Sequence, residues 1–278
     1  MIKVIADTLS CINVAKAKQL DIPLIPQIII IDQETYRDDT EIDTKTFFMK
    51  LVNAKEHPRT AAPSPEFYRS AYQKIIQQGD TPFVICPSSE MSGTFRSATV
   101  AARDFPEAHI QIVDTPSMGA GLGVMVQKAV AWANENHTAA QIEAGILKMA
   151  SRERIYFSVD SLEYLHKGGR IGGAQAFLGI LLQVKPILQF RNRRIEPIGR
   201  QRTQNRTLAY LRSLVDAQCP KNNNSYLSLM HGGNKEEATR LAEELGRIIG
   251  EPSPPVYEIP AAFLVHGGPG ALGISFFV

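Results

Sequence analysis

Only three cysteines occur in 278 residues, Cys11, Cys86 and Cys219, and they show neither pairing nor metal-ligand spacing. A disulfide-stapled framework is thereby excluded, and a reducing, cytoplasmic setting is expected. The six histidines also lack metal spacing, so no metal is expected. Long apolar runs are missing. The longest, Phe177 to Leu188, is broken by Gly179, Gln183, Lys185 and Pro186, well short of a membrane helix. An apolar strand pattern begins at Ile2, which leaves no room ahead of it for a secretory leader. Net charge is only +2, so there is no global pull toward nucleic acid or an anionic surface. No phosphate loop ending in Gly-Lys-Ser/Thr exists, and Gly168 to Gly173 therefore reads as an interdomain turn rather than a nucleotide site. No cofactor is implied.

What is present is an ordinary globular composition, 44% hydrophobic and 21% charged, long enough for one large domain or two modest ones. The first half alternates strands and helices. Residues 2–6, 83–86, 110–113 and 155–159 read as strands, and 44–53, 65–78 and 117–136 as helices. Ile22 to Ile31 followed by a turn reads as an early inserted strand pair. Thr138 with Gln141 forms a capping box that opens a further helix. This order predicts a parallel sheet. After about Ile171 the pattern changes to a strand pair at 186–190 and 194–198, helices at 203–217 and 234–249, and strands at 225–231, 256–259, 262–265 and 272–277. The expected class is thus α/β: an N-terminal parallel-sheet domain over 1–170, then an α+β domain over 171–278, with a ligand slot between them.

Cys86-Pro87-Ser88-Ser89-Glu90-Met91-Ser92-Gly93-Thr94 links a strand to a helix. A helix start offers unpaired N–H groups, and with hydroxyls beside it the loop suits a small anion such as a carboxylate or phosphate. Taken alone, the loop also reads as a plain N-cap. In Thr60-Ala61-Ala62-Pro63-Ser64-Pro65, Ser64 caps and Pro65 starts the helix, leaving Thr60 without a capping role. His266-Gly267-Gly268-Pro269-Gly270 and Tyr164 to Ile171 complete a set of four segments. Asp7 and Asp114, each after a strand, read as loop organisers that accept backbone N–H groups.

Together these segments, with Asp7-Thr8, Asp114-Thr115 and Lys185-Pro186-Ile187-Leu188, resemble the DegV family of bacterial fatty-acid-binding proteins, in order and over nearly the whole chain. The resemblance implies a carrier with no catalysis of its own. It would shield the tail of a long-chain fatty acid and present the carboxylate to an ATP-dependent kinase, which converts it to acyl phosphate. Carboxylate binding is implied for Thr60, Ser92 and His266, and kinase docking for Arg170 and Arg202; the residues themselves add the backbone N–H of Gly93 or Thr94 at the helix start. Transient membrane contact is allowed, and nucleic acid is not expected. Ala61 departs from the family, which often carries serine there, and so removes one polar contact. Cys11 departs likewise from an often acidic position.

Two rival readings come from the residues. Ser92, Asp114 or Asp160, and His266 follow the chain order of an α/β-hydrolase triad, as for an esterase or thioesterase. The nucleophile elbow, however, needs glycine two residues either side of the serine, and Glu90 and Thr94 stand there. The run Arg191, Arg193, Arg194, Arg200, Arg202 and Arg206 would serve a DNA-binding regulator, but it lacks interleaved aromatics or a recognised module.

Overall fold

The computed structural model describes residues 1–178, 184–221 and 224–278. Residues 179–183 of the apolar run noted above lie outside them.

Alternation of apolar side chains builds the first layer. In β1 (Ile2–Asp7), Val4 and Ala6 face one side and Ile5 the other. In β6 (Thr81–Cys86), Phe83 and Ile85 share the first side, and Val84 and Cys86 the second. Strands apolar on both faces require cover on both. With β2 (Leu24–Ile25) and β7 (Gln111–Asp114) they form a parallel sheet in the order β2-β1-β6-β7. The first side is covered by α1 (Val14–Leu20), α5 (Ala120–Asn134) and α6 (Ala139–Arg152), through Leu122, Met125, Ile142 and Ile146. The second is covered by α3 (Pro65–Gln77) and α4 (Thr94–Ala102), through Tyr68, Tyr72, Ile75 and Ala98. The capping box at Thr138 forms as expected.

A six-stranded sheet follows the order β10-β9-β8-β13-β11-β12. Its strands are β8 (Glu153–Ser158), β9 (Lys185–Arg191), β10 (Arg194–Gln201), β11 (Ser228–His231), β12 (Val256–Glu258) and β13 (Leu272–Phe277). All neighbours are antiparallel except β11 and β12. Helices α8 (Gln204–Gln218) and α9 (Lys235–Ile249) pack on one face of it through Leu211, Val215, Leu241 and Leu245. A small antiparallel sheet, β4-β3-β5, joins β3 (Ile28–Ile31), β4 (Glu34–Arg37) and β5 (Arg59–Ala61). Phe47 of α2 (Thr44–Asn53) packs in the same core as Ile29 and Ile31. The short α7 (Glu163–Lys167) lies against α10 (Ala261–Gly267). Among the described residues no helix is long and apolar enough to cross a membrane.

The α/β class is as expected, with three local corrections. The strand at 155–159 does not extend the parallel sheet: β8 pairs with β9 and β13 in the second sheet. Residues 262–265 are helical, not extended. Pro260 sits at the N-cap, its carbonyl accepts from Phe263 and Leu264 N–H, and Gly268 at φ 72° follows the last turn. Proline before and glycine after is a helix signature that outweighs a four-residue apolar run. Finally, the inserted strand pair is β3–β4, while β2 joins the parallel sheet and β5, which the sequence did not suggest, completes the small one.

Candidate functional site

The carboxyl ends of parallel strands are where open α/β sheets bind ligands. Here the loops after β1, β6 and β7 face the six-stranded sheet across a cavity. Leu9, Met91 and Met118 line it from those loops, Phe157 and Leu272 from β8 and β13, and Leu264 from α10. Its lining is mostly apolar, but five polar residues reach it: Gln27, Thr60, Ser92, Arg170 and His266.

Chain entry from β5 sets Thr60, and the last turn of α10 sets His266. Thr60 Oγ1 and His266 Nε2 are 2.8 Å apart, across 206 residues of sequence. His266 Nδ1 is buried against the Gly168 backbone, where a Cβ would collide with the ring. Burial, then the charge of Arg170, then His57 push the proton affinity of His266 down to about 3. The ring is therefore neutral at pH 7. With its proton on Nε2 it donates to Thr60 Oγ1 and leaves the Thr60 hydroxyl proton for a ligand; with its proton on Nδ1 it accepts from Thr60.

Ser92 Oγ lies 2.9 Å from Thr94 Oγ1 and accepts from Thr94 N–H at 3.3 Å. Gly93, the residue before α4, carries no side-chain cap and lines the cavity. A Cβ on Gly93 would sit 3.0 Å from Ala62 Cβ, so the Ser92 loop and the Thr60 loop are in contact. Thr94 is fully buried behind Ser92. Its hydroxyl donates to Asp7 Oδ2 at 2.9 Å and accepts from Gln27 Nε2 at 3.0 Å. Asp7 also accepts from Leu9 N–H at 3.1 Å and from Gln27 Nε2 at 2.8 Å. Burial raises the Asp7 carboxyl to about 7 against these stabilising bonds.

A model of the DegV family, described as uncharacterised proteins, matches residues 1–278. The chain belongs to the DegV family. It is 31% identical over 278 residues to protein DegV of Bacillus subtilis, covering 99% of this chain and 98% of that one. The crystal structure of that protein, described as a fatty acid binding protein, superposes with a TM-score of 0.90 at 31% identity, covering 100% of this chain and 99% of that one. A DegV family protein from Thermus thermophilus, reported for its fatty acid binding, superposes with a TM-score of 0.90 at 29% identity and 99% coverage of both chains.

In this DegV-family chain the structure brings Thr60, Ser92, Gly93 and His266 to one cavity. Thr94 does not line it, and its N–H is directed at Ser92. Arg170, expected to serve kinase docking, lines the cavity too. Its Nη1 donates to Gly168 O at 2.9 Å and its Nε to Met91 O at 3.3 Å. The glycine-rich turn after α7 is what delivers it there. Arg202 is exposed beyond β10, outside the cavity lining. Arg193 is a structural tie, donating to Asp114 Oδ2 at 2.8 Å, while Asp114 also accepts from Ser89 N–H at 2.9 Å as a loop organiser should. The hydrolase triad is not assembled. His266 bonds Thr60 and not Ser92, Asp160 pairs with Lys185, and Asp114 pairs with Arg193. Gln27, which lines the cavity and bonds Thr94 across 67 residues, and the reach of Asp7 into the site through Thr94 across 87 residues were not visible in the sequence. Among the described residues no cluster could hold a metal ion.

Proposed function

We propose that this protein binds a long-chain fatty acid, with the tail in the apolar cavity and the carboxylate at Thr60, Ser92, the Gly93 N–H and Arg170. The observation that carries this is one mostly apolar cavity that also collects a neutral His–Thr pair, a serine and an arginine. Burying about fifteen methylenes at ~0.8 kcal/mol each gives on the order of 12 kcal/mol gross. A charge-assisted head-group bond adds only about 1.5–3 kcal/mol net. The tail therefore supplies affinity and the head group sets direction. The fatty acid binding described for the Bacillus subtilis and Thermus thermophilus relatives supports the same ligand class here. In this reading the chain is a cytoplasmic carrier that performs no chemistry itself. It presents the carboxylate to an ATP-dependent kinase that forms acyl phosphate, and exposed Arg202 serves that docking. Because His266 is neutral, Arg170 takes the role of charge partner to the carboxylate.

Native mass spectrometry of the purified protein should show a mass excess of a long-chain fatty acid. Delipidated protein should bind the acid much better than its methyl ester, which has lost the charge-assisted bonds. Equal binding of acid and ester would sink the head-group assignment. Arg202→Ala should keep the acid bound while acyl phosphate formation with the kinase falls. Loss of fatty acid in step with phosphorylation would place Arg202 in ligand binding instead.

A further inference from the structure

Thr94 Oγ1 has three hydrogen-bond neighbours: Asp7 Oδ2 at 2.9 Å, Gln27 Nε2 at 3.0 Å and Ser92 Oγ at 2.9 Å. A hydroxyl donates once and accepts twice, so the three positions constrain one another. When Asp7 is ionised it can only accept. Thr94 then donates to Asp7, accepts from the Gln27 amide, and must accept from Ser92. The only Ser92 proton is thereby spent on Thr94. Ser92 also accepts from Thr94 N–H, which leaves it one lone pair and no proton for the cavity it lines. That orientation repels a carboxylate. When Asp7 is protonated on Oδ2, it donates to Thr94 Oγ1, whose other lone pair still accepts from Gln27. Thr94 now donates to Ser92, and the Ser92 proton is released toward the cavity.

We propose that Asp7 is a positioning residue for the head-group site: its protonation reverses the chain Asp7–Thr94–Ser92 and aims the Ser92 proton at a bound carboxylate, so that carboxylate binding takes up a proton. This rests on the fatty acid reading given above and assigns to a residue outside the cavity lining the control of its hydroxyl donor.

Several titratable groups surround Asp7. Asp38, beyond β4, accepts from Thr8 Oγ1 at 2.8 Å and from Gln27 N–H at 2.8 Å, and burial raises it to about 7 as well. Cys11, Cys86 and Tyr68 also face Asp7, and all are held neutral by burial, Cys11 up to about 12. His266 is neutral down to about 3. Asp7 and Asp38 are thus the groups that change charge near pH 7 in this neighbourhood, and only Asp7 touches Thr94.

Titration calorimetry of the delipidated full chain tests the assignment, with decanoate as the probe and decanol as the neutral control. Decanoate stays ionised above pH about 6. In the wild type, comparing buffers of different ionisation enthalpy should reveal uptake approaching one proton per decanoate above pH 7. Kd should rise by up to tenfold per pH unit there. Decanol should show no such slope. Thr94→Val, which removes the relay and releases the Ser92 proton, should bind decanoate at pH 8.5 as the wild type does at pH 6.5, with a flat profile; Asp7→Asn, whose side chain cannot take up a proton, should likewise show no proton uptake. Asp38→Asn should retain proton uptake and only shift its midpoint. Tight decanoate binding with no proton uptake in the wild type would overturn the relay and leave the fatty acid reading standing. A slope that persists in Thr94→Val would overturn it equally, even if Asp7→Asn fails to fold. No decanoate binding at any pH would remove the fatty acid reading, and the relay with it.

Discussion

At the scale of single residues, the electrostatics of the site separate two roles that a His and an Arg could share. His266 is neutral because burial and Arg170 both disfavour its charged form. It orients Thr60 and supplies no charge. Its loss should therefore cost about one net hydrogen bond, roughly 0.5–1.5 kcal/mol, or about two- to tenfold in Kd. Arg170 is half-buried and carries the charge. Arg170→Gln should cost about 1.5 kcal/mol, on the order of tenfold, the low end for a charged bond that solvent partly screens. It should also erase the preference for acid over methyl ester. The checking measurement is decanoate affinity at pH 6 and pH 8 for both variants. If His266→Ala weakens binding only at the lower pH, the imidazolium is the binding form and this division of roles fails.

At the scale of elements, α5 shows why glycine sits inside a helix where it costs stability. A Cβ on Gly121 would run into the Glu153 carboxylate of β8, and one on Gly123 into the Ser10 carbonyl. These glycines buy close helix–sheet packing, not tail space; Gly119, at the mouth of the helix, is the one that lines the cavity. Gly123→Ala meets backbone that cannot swing aside, so overpacking should cost about 1–3 kcal/mol and lower the melting temperature by several degrees. An unchanged thermal melt would contradict the packing account. The same scale shows what the sequence could convey. Strands with long apolar runs between turns, such as β6 and β13, were legible, as was the capping box at Thr138. Residues 59–61 were not, because Arg-Thr-Ala has no strand signature and pairs only because β3 offers an open edge. The 261–267 helix was misread because four apolar residues have no period, although Pro260 and Gly268 already marked its ends. That Thr60, Ser92 and His266 belong together was suggested by motif resemblance, and the fold brings the three to one cavity. Arg170 and Gln27 in the cavity, and Asp7 behind Ser92, were not, since tertiary folding alone brings them there.

At the scale of the whole molecule, buried titratable groups give stability an unusual pH dependence. Asp7, Asp38 and Glu153 are each raised to about 7 by burial. Between their unfolded value near 4 and 7 the folded chain holds more protons than the unfolded one, so stability falls as pH rises through that window. His266, depressed to about 3, acts in the opposite sense: its contribution is present above about 6.5 and is lost as pH falls. Burial lowers His57 and His231 in the same sense, but between pH 5.5 and 8 the histidines act only below about 6.5, whereas the three carboxyls act up to about 7, so the delipidated protein should melt no lower at pH 5.5 than at pH 8. A drop of several degrees on acidification, measured by calorimetry or circular dichroism, would show that these carboxyls ionise freely in the fold. The position of β13 carries a different consequence. It is the last strand in sequence yet lies inside the six-stranded sheet, between β8 and β11, with Leu272 on the cavity wall. A chain still emerging from a ribosome can complete its parallel sheet, but it remains a vessel without a back wall until residue 277 is free to insert. Under the carrier reading proposed above, the fatty acid would be taken up only after synthesis of that strand, and a message truncated before it would yield a protein that never loads.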